Sequence, residues 1–185
     1  MAAKKSYDPE VFVGAGSKVV RTEVPDGVGV IATCAHDGES NFMVESFASD
    51  GTSIDTNVNE IGRYRGTVLL AAAETPAVLK VVADGDWTIK LEEITNAPHW
   101  DPSAKLSGSG DGVFIVDPRV SGFLKCIAKV RGDGYFAVWA YHGDEVTLLF
   151  SEIDGYTGEN VFPVETHLVT VKSDNTSWSI ELDEI

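Results

Sequence analysis

Trp87-Thr88-Ile89-Lys90-Leu91-Glu92-Glu93-Ile94 returns at the end of the chain as Trp178-Ser179-Ile180-Glu181-Leu182-Asp183-Glu184-Ile185, 91 residues on. Each copy alternates. Trp87, Ile89 and Leu91 fall on one side, Thr88, Lys90 and Glu92 on the other, and Trp178, Ile180 and Leu182 keep the same phase. Successive side chains of a strand point to opposite faces, so both stretches read as half-buried strands anchored by a core tryptophan. Burying one such Trp withdraws about 150–250 Å² from water, worth roughly 4–6 kcal/mol as an upper bound.

Further upstream the echo continues. Glu60-Ile61-Gly62-Arg63-Tyr64-Arg65-Gly66 returns as Glu152-Ile153-Asp154-Gly155-Tyr156-Thr157-Gly158, and Cys34 and Cys126 are also 92 residues apart. Solenoid and propeller repeats run at about 20–50 residues, so a period near 90 is a whole domain. The runs 17–24, 28–35, 41–47, 67–71, 78–82 and 87–92, with a short one near 54–58, are rich in β-formers and separated by turns such as Pro25-Asp26-Gly27, Asp37-Gly38 and Asp50-Gly51. Six or seven short strands of this kind predict an antiparallel sandwich. The expectation is an all-β chain of two tandem antiparallel β-sandwich domains, Ig-like or jelly-roll-like, related by internal duplication. The first spans 1–94 with an N-terminal arm over about 1–12, and the second spans 105–185. Residues 95–104 read as a linker stiffened by Pro98 and Pro102, in which Trp100 has no counterpart in the other copy.

Composition narrows the function. Fourteen Lys+Arg against 29 Asp+Glu give a net charge of −15, which repels phosphate backbones and argues against nucleic acid and anionic membranes as partners. The start, Met1-Ala2-Ala3-Lys4-Lys5-Ser6-Tyr7, is basic but leads into no apolar run, so no export signal or transmembrane segment is expected. Assigned to the same slot of two separate cores, Cys34 and Cys126 are expected to be small buried hydrophobes rather than a bridge.

No catalytic constellation is legible. His36, His99, His142 and His167 stand apart in sequence, and neither a phosphate-binding glycine loop nor a nucleophile elbow is present. Asp84-Gly85-Asp86 and Asp174-Asn175-Thr176-Ser177 raise a calcium reading, but they lack the spaced oxygens of an EF-hand and carry what tight turns use. The expectation is therefore no catalytic, cofactor or metal residue. Tyr64 and Tyr156, with Trp87 and Trp178, are expected to be structural anchors of the repeat. The candidate partner surface is Tyr135, Trp139 and Tyr141. They share the face opposite Phe136 and Val138, where the first copy has Asn41, Glu45 and Phe47. Large exposed apolar groups of this kind mark contact with a domain, another subunit or a sugar ring.

The ordered set Asn41-Phe42-x-Val44, Asn59-Glu60-Ile61-Gly62-x-Tyr64-x-Gly66-Thr67 and Ala83-Asp84-Gly85-x-Trp87-x-Ile89 resembles a small β-sandwich domain of largely unassigned function. That domain recurs in actinobacterial surface and secreted proteins and in proteins of their tailed phages. The resemblance covers most of the first copy and, more faintly, the second, where Ser151 and Asp154 replace the Asn and Gly of the motif. Bacterial members usually begin with an export signal or lipid anchor, so a tandem pair without one looks like a phage structural protein. The resemblance implies a virion component, made in the host cytoplasm. It would be a capsid-decoration, minor-capsid or tail-associated protein whose partners are a major capsid or tail protein and copies of itself. A carbohydrate- or cell-surface-binding module that stacks sugars on Tyr135, Trp139 and Tyr141 is the alternative.

Overall fold

The computed structural model describes residues 6–71, 74–174 and 176–185. Residues 1–5 of the expected arm, and Asn175 of the second acidic turn, lie outside them. The chain divides into two compact units, Met1–Asn96 and Ala97–Ile185. The described residues are all-β apart from one 3-10 turn at Ile94–Asn96. No helix among them is long and apolar enough to cross a membrane.

The first unit contains β1 (Glu10–Ala15), β2 (Lys18–Arg21), β3 (Val30–His36), β4 (Asn41–Phe47), β5 (Ser53–Ile61), β6 (Tyr64–Ala71), β7 (Val78–Val82) and β8 (Asp86–Glu93). They form two four-stranded antiparallel sheets in the orders β1-β8-β3-β6 and β2-β7-β4-β5. Eight strands wound in this order make a jelly roll, which decides between the two sandwich types expected. Its core lies between the sheets: Cys34, Trp87, Ile89 and Leu91 from one face Phe42, Val44, Leu79 and Val81 from the other.

The second unit opens with β9 (His99–Trp100), followed by β10 (Leu106–Ser109), β11 (Gly112–Val116), β12 (Leu124–Arg131), β13 (Tyr135–His142), β14 (Glu145–Ile153), β15 (Tyr156–Phe162), β16 (Thr166–Ser173) and β17 (Ser177–Glu184). Its sheets run β10-β17-β12-β15 and β14-β13-β16-β11-β9. Without β9 the order is that of the first unit, strand for strand.

Three expectations need correction. The arm reaches the fold earlier than its sequence implies: Glu10–Ala15 is a strand paired along β8, and Tyr7 is buried in the first core. The linker is largely part of the second unit. Its His99–Trp100 pairs in parallel with Ile115 and Val116, and Trp100 is buried against Phe162 at 5.9 Å. Tyr7-Asp8-Pro9 and Trp100-Asp101-Pro102 each place a buried aromatic ahead of an Asp-Pro pair, although Trp100 lies in β9, a strand the first unit lacks among its described residues. Third, the cysteines are not equivalent. Cys34 stands opposite Ile89 and Gly66, and the residue opposite Ile180 and Gly158 is Ala128, not Cys126. Both side chains are nonetheless buried in their cores, and burial pushes the Cys126 thiol up to about 12.

Candidate functional site

The candidate surface is built on the β13–β14 hairpin. A two-residue turn, Gly143-Asp144, joins the strands, and Gly143 takes a left-handed φ of 56° that a glycine supplies without strain. This register sets Tyr141 opposite Val146, Trp139 opposite Leu148 and Tyr135 opposite Ile153. Phe136, Val138 and Ala140 point the other way, into the core. The outward face is thus a row of aromatics beside a row of aliphatics. The three aromatics are half-buried, whereas Val146, Leu148 and Ile153 are 55%, 48% and 73% exposed. On β16 the aromatic row is flanked by Leu168 and Thr170, both buried, and by Lys172, half-buried beside Ala137 at the edge of the face.

The first unit shows that the jelly roll does not require this. The position of Trp139 is held there by Glu45, paired in register with Thr56 and Lys80, and Glu45 and Lys80 form an ion pair at 2.6 Å. An ion-paired rim in one unit stands where the other carries Trp139, Leu148 and Thr170. No charged residue lies among the eight outward positions of the hairpin: Tyr135, Ala137, Trp139 and Tyr141, with Val146, Leu148, Ser151 and Ile153. Polar groups border it. Tyr135 Oη lies 3.3 Å from Ser151 Oγ, and His142 Nε2 lies 2.8 Å from Thr147 Oγ1. His142 and His167, 25 residues apart, are close enough to interact; burial, Arg119 and His142 together push the His167 imidazole below its ordinary value.

The remaining predicted residues pack in or against the two cores. Trp87 and Trp178 are buried, each donating its indole N–H to a backbone oxygen, that of Gly16 at 2.8 Å and that of Gly110 at 2.9 Å. Tyr64 is buried against Phe42, with ring centroids 5.6 Å apart. Tyr156 is half-buried beside Phe150, and its phenol is raised by burial and by Glu152. The motif's divergent Gly62 and Asp154 are one structural position, with φ of 85° and 69°. Aspartate is among the few residues that tolerate this region, so the fold survives the exchange.

The acidic turns lock loops. Asp84 Oδ2 accepts the amides of Glu39 at 3.1 Å and Ser40 at 2.9 Å. Its Oδ1 lies 3.2 Å from Nε2 of buried His36, which stacks on Phe42 and places Nδ1 2.9 Å from Gly62 O. Burial works to raise the Asp84 carboxyl, but the two amides and His36 outweigh it and hold it below the usual range. Asp174 performs the same task on the Tyr135 amide at 3.2 Å. Among the described residues no three His, Cys, Asp or Glu side chains gather as metal ligands. An open cleft of about 300 Å³ in the first unit is bordered by Asp26, Asp50 and Glu74 with Ser49, Thr52 and Thr75. Asp50 spends one oxygen on the Thr52 amide at 2.9 Å.

Sequence reasoning found the aromatic row and missed the aliphatic one. Val146-Thr147-Leu148 is a short alternation with its apolar members outward, and only the tight turn at Gly143-Asp144 brings it beside the aromatics.

No protein-family model matches the sequence, and no curated protein does. Among solved structures, a cAMP-bound PfPKA-R aligns at 8% identity over 93% of this chain and 69% of its own, with a TM-score of 0.25. The stem and receptor-binding domain of spike protein P1 from bacteriophage PM2 aligns at 12% identity over 99% and 100%, with a TM-score of 0.23. A guanosine-bound regulatory subunit of a cAMP-independent protein kinase A from Trypanosoma cruzi aligns at 9% identity over 92% and 71%, at 0.21. Likenesses this low carry no functional argument.

Proposed function

We propose that the chain is a non-enzymatic structural protein of a virion, a capsid-decoration, minor-capsid or tail-associated component, acting through protein–protein contact. The observation that carries the reading is the uncharged aromatic and aliphatic face of the β13–β14 hairpin on a chain of net charge −15. An acidic surface keeps individual copies dispersed, while one neutral apolar face provides a place to dock. Jelly rolls serve as viral capsid and lectin domains; this is analogy at the level of fold. The two units, with one strand order between them, descend in this reading from a single duplicated domain. Modest affinity is enough for such a part, because neighbours on a repeating shell hold each copy in place.

Aromatics beside the exposed hydroxyl of Ser151 favour one second reading, a glycan platform. The two readings separate experimentally. Mass spectrometry of density-purified particles from the cells that make this chain should find it as a stoichiometric component. Its absence from the particles overturns the virion reading, and glycan-array binding lost in Trp139→Ala would then favour the alternative.

A further inference from the structure

We propose that the occupant of the β13–β14 face is a second copy of this chain, related by a two-fold axis running along the strands. The inference rests on the docking reading above and names its partner. Charge is the first argument. Two copies of net charge −15 repel wherever carboxylates meet, and the hairpin face brings none into the contact.

Pattern is the second argument. A two-fold contact requires one patch to complement itself. Rotation about an axis parallel to the strands lays the β13 row of one copy over the β14 row of the other. Trp139 then meets Leu148, Tyr141 meets Val146 and Tyr135 meets Ile153, each pair twice, because each pair shares a register level within the hairpin. Aligned face-to-face packing of sheets is an ordinary arrangement.

The third argument concerns the edge. Between Val138 and Trp139 the register shifts, leaving Leu149 as an extra residue on β14. A bulge on an edge strand sharpens its twist and discourages edge-to-edge pairing, so the face and not the edge is the open route.

The contact is small. Two strands of eight or nine residues project about 10 Å by about 25 Å, far below the roughly 800 Å² per partner of a stable interface. Association should therefore be weak and concentration-dependent.

Sedimentation equilibrium of the full chain from about 10 µM to about 1 mM, at low salt and at about 0.5 M NaCl, tests this. The weight-average mass should climb from 19.8 kDa toward twice that value, and climb further in salt, which screens the mutual repulsion. Leu148→Glu should stay monomeric while keeping the wild-type thermal transition. Val19→Glu, on exposed β2 of the first unit, should associate like wild type. A wild-type mass fixed at 19.8 kDa at the highest concentration and salt, or association that Leu148→Glu leaves intact, overturns the proposal. If the chain stays monomeric yet Leu148→Glu is lost from particles, only the second copy is refuted and docking through this face stands. If Leu148→Glu changes neither, both fall.

Discussion

Trp87→Ala should remove a large part of the stability of the first unit. The side chain is 1% exposed between the two sheets, and its indole N–H caps the carbonyl of Gly16 at 2.8 Å. Emptying a buried Trp site costs about 3–5 kcal/mol through lost transfer energy and the cavity left behind. The stranded Gly16 carbonyl adds to that cost. A unit of this size has a total stability of roughly 5–13 kcal/mol, so the melting temperature should fall by more than about 10 °C. Trp178→Ala should do the same to the second unit, where the indole binds Gly110 O at 2.9 Å. Calorimetry checks both, and a fall of only a few degrees would mean that these rings do not anchor the cores.

Gly14→Ala and Gly108→Ala should also destabilise their units, for the opposite reason. Each glycine lies directly beneath a tryptophan of the neighbouring strand, in the pairs Gly14–Trp87 and Gly108–Trp178. A methyl at Gly14 would come within 2.6 Å of Trp87 Cε2, and closer still to Cζ2; one at Gly108 would come within 2.7 Å of Trp178 Cζ2. The obstacle is a rigid ring held by its own hydrogen bond, so relief requires moving the strand or the core. Overpacking of this kind costs about 1–3 kcal/mol, occasionally more, with the larger loss expected at Gly14. Denaturant unfolding gives the number, and a double-mutant cycle identifies the cause. Gly14→Ala should cost much less in a Trp87→Leu background. An equal cost in both backgrounds would rule out the ring as the obstacle.

How much of this was legible in sequence depends on the strand. Trp87, Ile89 and Leu91 declare their face because alternation is strict and one face is charged. β1 gives no such signal: Val11 and Val13 point outward and remain exposed while Phe12 points in, so apolar residues occupy both faces. The Gly14-Ala15-Gly16 and Gly108-Ser109-Gly110 pairs, which seat the tryptophans, were invisible for a different reason. A glycine under a ring is defined by the partner strand, about 70 residues away. The cysteine error came from loop lengths. The loop between β4 and β5 is three residues longer than Gly143-Asp144 while β4 is one residue shorter than β13, a net difference of two, so strands before it are offset by 94 and those just after by 92. Cys34 and Cys126 matched the second value by coincidence. At the candidate site, the aromatics of β13 stood out because nothing balances them. Val146 and Leu148 acquire meaning only from the hairpin register.

Trp139 offers the most direct test of whether the hairpin face is a docking surface. Trp87, Trp100 and Trp178 are buried and Trp139 is half-exposed, so a neutral quencher such as acrylamide should report on Trp139 alone. In dilute solution part of the tryptophan emission should be quenchable, and Trp139→Phe should abolish that part. Once the chain is assembled, at high concentration in salt or on particles, the quenchable part should shrink toward that of Trp139→Phe. Quenching of Trp139 that is as strong in the assembled state as in the dilute one would contradict the claim that protein covers this face.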